Sequence, residues 1–178
     1  EKIKNVEALY TGKTVRNDFP DELVETLKNK TSVPVGNIPL DHIGANHFYA
    51  IRHNRKTLYA FYHRSSQTLT PVSTAPVFRI KPRNPEQAFA LHALLDPAIR
   101  LVSIQGNAGT GKTLLALASA LEQRKNYRQI YITRPVIPLS NREIGFLPGD
   151  AKSKTDPFLA PIWDNIRFIK EQYADDEK

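Results

Sequence analysis

The chain has 178 residues, 40% of them hydrophobic and 24% charged, with a formal net charge of +7; this is the make-up of a globular protein of one full domain or two small ones. It has no cysteine, which excludes disulfides and thiolate metal sites and fits a reducing compartment. No apolar run approaches the roughly 20 residues that span a bilayer, and no signal peptide opens the chain, so a cytoplasmic location is expected.

The positive charge is spread. Residues 1–78 hold 10 basic and 7 acidic side chains, and residues 79–178 hold 15 and 11. A polyanionic partner is permitted but not named by charge alone. The chain starts at Glu1 and contains no methionine, so we read it as a piece of a longer polypeptide.

In chain order, Val6 to Tyr10 alternates as a strand and is ended by Thr11-Gly12-Lys13. Asp18 to Lys30 reads as a helix, with Asp18 as N-cap, acids in the first turn and lysines in the last. Leu23, Val24 and Leu27 form its apolar side. Pro34, Gly36 and Pro39 break the next stretch into loop.

His47–Arg52 and Thr57–Tyr62 are aromatic and β-branched runs, joined by His53-Asn54-Arg55-Lys56 as a four-residue hairpin loop. Leu69–Val72 and Val77–Ile80 are further strands, with Pro71 and Pro76 marking edges. Residues 1–78 are therefore expected to form a small β-barrel-like domain, or a curled sheet, with one helix. Tyr49, Tyr59 and Tyr62 could stack on single-stranded nucleic acid beside Arg52, Arg55 and Arg64. A domain of this size needs the same rings in its core, and the core reading is the stronger. The five histidines have no recognised ligand spacing and are read as surface or strand-edge residues.

Arg79-Ile80-Lys81-Pro82-Arg83 is a basic, extended hinge, and the domain boundary is placed there. Asn84-Pro85-Glu86-Gln87 starts a helix with Asn as N-cap and Pro at the first position. The Gln87 amide both donates and accepts, as the adenine edge requires; a lone glutamine there is otherwise solvated.

Leu101–Ile104 reads as a short buried strand and Leu114–Leu121 as a buried helix. Between them stands Gly106-Asn107-Ala108-Gly109-Thr110-Gly111-Lys112-Thr113, which fits the phosphate-cradling pattern G-x-x-x-x-G-K-[ST]. Its glycines let backbone N–H groups converge on an anion. Lys112 supplies a charge for the β- and γ-phosphates, and the Thr113 hydroxyl is suited to Mg²⁺. The helix that follows adds its positive dipole end. Nucleoside triphosphate binding is the central expectation.

Arg128–Thr133 is a second buried strand, which makes a βαβ unit and a parallel sheet. Thr133-Arg134-Pro135 sits at its C-terminal end, where ligands of such sheets bind. Gly145–Asp150 and a basic stretch precede Asp156-Pro157, which opens a last amphipathic helix through Ile162, Trp163, Ile166, Phe168 and Ile169.

Arg83–Gln87, Gly106–Thr113, Thr133–Pro135, Gly145–Asp150, Asp156-Pro157 and Trp163-Asp164 occur in this order over about residues 79–173. Together they resemble the PhoH family of P-loop ATPases. The resemblance implies the N-terminal half of a RecA-like P-loop NTPase core, related to superfamily 1 helicases, over residues 79–178. It implies ATP and Mg²⁺ as ligands and Gln87 as the adenine reader. It implies that Thr133, Arg134 and Pro135 face single-stranded RNA. The preceding β-domain is similar to that of longer members, in which a PIN ribonuclease domain stands ahead of the ATPase. ATP-dependent RNA unwinding coupled to RNA cleavage is the implied activity there, with assembly into a ring by analogy.

The sequence departs from that pattern. No strand ending in Asp-Glu follows residue 113, no arginine finger is assignable and no PIN acidic cluster is present. Asp150, Asp156 and Asp164 are not at strand ends. Hydrolysis needs an acidic residue behind Mg²⁺ and a group that positions water, so this chain by itself is expected to bind ATP weakly and turn it over poorly. Two other readings stand beside the RNA-directed ATPase. One is a small-molecule kinase, which would need an acceptor-binding lid that is not evident. The other is a nucleotide-gated RNA-binding module without catalysis.

Overall fold

The computed structural model describes residues 12–36, 38, 44–134 and 151–174. It is a mixed α/β structure of one five-stranded sheet and four helices among the described residues. The chain divides into two compact units. One takes residues up to Thr74 together with Pro82–Ala93; the other takes Ala75–Lys81 and the chain from Leu94 onward.

In the first unit, β1 (Lys13–Arg16), β2 (Val33–Pro34), β3 (Phe48–His53), β4 (Lys56–His63) and β5 (Thr68–Pro71) form the sheet in the linear order β1-β3-β4-β5-β2. β1 pairs parallel to β3, and every other pairing is antiparallel. Helix α1 (Asp21–Lys28) lies against one face. Strand alternation places Tyr49, Ile51, Ala60, Tyr62 and Leu69 in one buried cluster with Phe19, Val24, Leu27 and Val33. Full burial of side chains such as Ile51 and Leu69 stabilises by about 1.5–3 kcal/mol each.

Phe48 and Phe61 project from the other face. Phe89 of helix α2 (Pro85–Leu95) stacks on Phe48 at 4.6 Å and meets Tyr59 edge-on at 5.5 Å. Tyr49 and Tyr62 are thus core, 1% and 5% exposed, and the nucleic-acid stacking reading fails for both.

Several local expectations are corrected. The β3–β4 hairpin turns on two residues, Asn54 and Arg55, both at positive φ (46° and 63°), in place of a four-residue loop; this is the combination a two-residue type I′ turn requires. Lys13 belongs to β1 rather than to a turn. Helix α1 begins at Asp21 after Pro20, with no side-chain cap. Asp18 instead accepts two hydrogen bonds from Arg16, and this guanidinium holds its carboxyl below the usual range. Val77 and Ile80 form only an isolated bridge, around a turn with Phe78 and Arg79 at positive φ. The strand expected at Val6–Tyr10 lies outside the described residues.

In the second unit, α3 (Lys112–Glu122) packs against α4 (Ala151–Ala174). Leu115, Leu117 and Ala118 of α3 and Ile162 and Ile169 of α4 are buried. Helix α4 begins at Ala151, so Asp156-Pro157 lies inside it rather than at its start. Trp163 is 56% exposed, against the expectation that it joins the apolar face.

The two buried strands expected around α3 are not formed. Residues 101–107 and 129–134 carry no ladder hydrogen bonds, and Leu101 and Tyr131 are 89% and 87% exposed. The reason is physical. A helix closes its hydrogen bonds within its own segment, but a strand is completed only by a neighbour, and among the described residues these segments pair with none. The parallel sheet of a βαβ unit is accordingly absent from the described residues. Val102 and Ile130 line an open cleft of about 450 Å³ against Ala116, Ser119, Ala120 and Gln123 of α3.

Candidate nucleotide site

The loop expected to hold phosphate leads directly into α3. Gly109 and Gly111 adopt φ of 75° and 84°, a region that favours glycine strongly over other residues. Gly111 is the N-cap of α3, and the helix closes on it through the bond from the Leu115 N–H to the Gly111 carbonyl at 2.9 Å. A glycine cap has no side-chain acceptor to offer. The first-turn N–H groups of α3 therefore stay oriented outward, toward the loop. No acidic residue stands in that first turn, so the helix end retains its positive field.

Lys112 opens α3 and turns its ammonium back over the loop. Nζ donates to the carbonyls of Gly106 at 2.9 Å and Asn107 at 2.6 Å and lies 3.4 Å from the Thr110 hydroxyl. The Thr110 hydroxyl donates to the Asn107 carbonyl at 2.9 Å. A side chain at Gly106 would crowd Thr110 Oγ1, 3.3 Å from an added Cβ. Gly106, Asn107, Ala108, Gly109, Thr110 and Thr113 are all exposed. The structure thus gathers Gly106 to Thr113 into one accessible loop with one ammonium over it. That arrangement can receive a polyphosphate.

Gln87 lies in the first unit, in the first turn of α2. Its backbone N–H donates to Asn84 Oδ1 at 2.9 Å, so Asn84 caps the helix as expected. Its side chain has a second task that sequence reasoning missed: Oε1 accepts from the Arg83 N–H at 2.8 Å. The pair is a variant of the capping box. The signal was present, a glutamine three residues after an N-cap asparagine. Beside it, the Lys13 ammonium pairs with Glu86 and holds that carboxyl below the usual range.

Thr133 and Arg134 are exposed and outside any ladder, and Pro135 lies outside the described residues. Asp164 faces Arg167 on the surface of α4 at 4.0 Å. Asp150 and the side chain of Asp156 lie outside the described residues.

The model of the family described as PhoH-like protein matches residues 79–176, more than half of the chain. The chain belongs to the PhoH family. Members of the PhoH family are in general P-loop ATPases, and the loop above lies within the matched segment. Protein PhoH2 of Bacillus subtilis is 43% identical over 96 residues, which is 52% of this chain and 22% of that protein. Protein PhoH2 of Thermobispora bispora is 41% identical over 96 residues, with the same shares. The PhoH-like protein of Bacillus subtilis is 44% identical over 66 residues, 36% of this chain and 20% of that protein. The chain thus spans about a fifth of the length of these PhoH relatives. No solved structure matches it. No helix among its described residues is long and apolar enough to cross a membrane.

Proposed function

We propose that this chain supplies the phosphate-binding part of an RNA-directed PhoH ATPase. The observation that carries the reading is the loop Gly106–Thr113 with Lys112 over it, at the start of α3 and within the PhoH segment. In this reading the loop N–H groups and Lys112 bind the phosphates of ATP. The Thr113 hydroxyl would hold Mg²⁺, which would neutralise charge on the phosphates. Gln87 reads the adenine edge. Thr133, Arg134 and Pro135 face single-stranded RNA. The segments 101–104 and 128–133 join a RecA-like parallel sheet in the whole protein, which works in the cytoplasm, with a PIN ribonuclease domain ahead of the β-rich unit and assembly into a ring.

The test is ATP hydrolysis by the full-length protein with and without single-stranded RNA, beside Lys112→Ala. RNA-stimulated turnover that vanishes in the variant supports the reading. Nucleotide binding that depends on Lys112 without any turnover would instead assign a nucleotide-gated RNA-binding module.

A further inference from the structure

The fold brings together two histidines that stand 29 positions apart. His63 is the last residue of β4, and His92 stands in the last turn of α2. Their ligating nitrogens lie within 4.8 Å of each other, and both side chains are partly buried. Phe61, which is 1% exposed, packs against both rings. It meets His63 edge-on at 4.7 Å and His92 at 4.8 Å. Phe48 meets the His92 ring edge-on at 5.8 Å. Each imidazole is thereby backed by an aromatic wall rooted in the sheet.

From this placement we infer that His63 and His92 form a two-imidazole clamp for a borderline divalent transition metal ion, of which Zn²⁺ is the probe. Three features support it. Imidazole nitrogen suits Zn²⁺, Ni²⁺ and Cu²⁺, whereas Mg²⁺ takes oxygen ligands; the clamp is therefore chemically distinct from a Mg²⁺ position at Thr113. Metal–nitrogen bonds of about 2.0–2.1 Å set two nitrogens of one tetrahedral ion about 3.4 Å apart, which falls inside the 4.8 Å within which the pair already lies. The last turn of α2 carries the negative end of the helix dipole, which favours a cation beside His92. Water completes the coordination.

An ion held there ties the end of β4 to the end of α2. Binding to the folded state alone raises stability as the metal concentration exceeds the dissociation constant. The experiment uses the tag-free full chain, stripped with chelator and titrated with Zn²⁺, followed by calorimetry and thermal melting. The expected result is saturable one-to-one binding, a melting temperature raised by several degrees and reversed by chelator, and at least tenfold weaker binding in His63→Gln and in His92→Gln. His53→Gln should leave both readouts unchanged. Cu²⁺ bound in place of Zn²⁺ should show two nitrogen couplings by electron paramagnetic resonance, reduced to one in either variant. His92→Gln alters a ring packed on Phe48 and Phe61, so His63→Gln decides if that variant fails to fold. The inference is overturned if Zn²⁺ binds His63→Gln as tightly as the parent chain, or if no saturable binding occurs below millimolar metal.

Discussion

Lys112 donates a 2.6 Å hydrogen bond to the carbonyl of Asn107, five residues earlier in the same loop. In the proposed reading, the loop holds its own ammonium at the place where the phosphates of a nucleotide would sit. Incoming phosphate must exchange for these carbonyls; the ammonium then faces a full negative charge in place of a carbonyl dipole, and the attraction is correspondingly greater.

Lys112→Ala should therefore weaken ATP binding by about 10- to 100-fold, the worth of one or two hydrogen bonds to a charged group. Its effect on the melting temperature should be small, because the loop is exposed. Titration of a fluorescent ATP analogue, beside a thermal melt, reads both. Unchanged nucleotide affinity would remove Lys112 from the phosphate site.

Substitutions at Asn84 and Gln87 distinguish the helix cap from the proposed adenine contact. Asn84→Ala should destabilise the first unit by about 1 kcal/mol through the lost cap and leave the preference for ATP over GTP intact. Gln87→Ala should erode that preference. Competition binding with the two nucleotides, alongside chemical denaturation, distinguishes the two effects. Equal discrimination in parent and Gln87→Ala would leave the glutamine with capping alone.

His47 gives the first unit a pH dependence. Its imidazole is buried, bonded through Nε2 to the Thr14 hydroxyl at 2.8 Å and packed on Tyr49 at 4.9 Å. Burial pushes its pKa below the ordinary 6.5. The unfolded chain then takes up a proton at a pH where the folded chain does not. The stability is fully present above pH 6.5 and is lost as pH falls through 6.5 toward the lowered folded value. Denaturation midpoints between pH 7.5 and 5, compared with His47→Gln, should show a shallower fall in the variant. Parallel curves would mean that His47 titrates alike in both states.

The hairpin can be improved. Arg55 occupies φ of 63° in the two-residue turn, a conformation that disfavours residues with a Cβ by about 1–2 kcal/mol. Arg55→Gly creates the preferred Asn-Gly pair and should stabilise by about 0.5–1 kcal/mol after the entropy cost of glycine. A lower melting temperature in this variant would mean that the Arg55 side chain carries contacts worth more than the strain.

Core packing is tested by Ile51→Ala. Ile51 is 0% exposed at the centre of β3, and the truncation should destabilise by about 2–5 kcal/mol. A loss under 1 kcal/mol in urea denaturation would mean that the site collapses around the deletion.

Features governed by local rules were legible in the sequence. The Asn84 cap, the glycine turns of the loop before α3 and helix α3 follow from residues that touch one another along the chain, and β3 and β4 show in their aromatic runs. The turn at Asn54-Arg55 was misjudged because the strands extend one residue further inward on each side, which only the pairing of His53 with Lys56 reveals. Helix α4 was started late because Pro157 resembles a first-turn residue, yet it lies within the helix. Leu101–Ile104 and Arg128–Thr133 have the composition of buried strands, but composition does not supply the neighbour that a ladder requires. The approach of His63 to His92 carries no sequence signal, since their separation in space is set by the packing of α2 on the sheet.

The burial of Tyr49 and Tyr62 against α1 governs how the first unit can meet a polyanion. Those rings are withdrawn from bases, while Arg52, Arg55, Lys56 and Arg64 are exposed. In the RNA-directed reading proposed above, these guanidinium and ammonium groups offer the described residues of this unit a grip on the phosphodiester chain. Such a grip is indifferent to base identity and fades steeply as counterions compete.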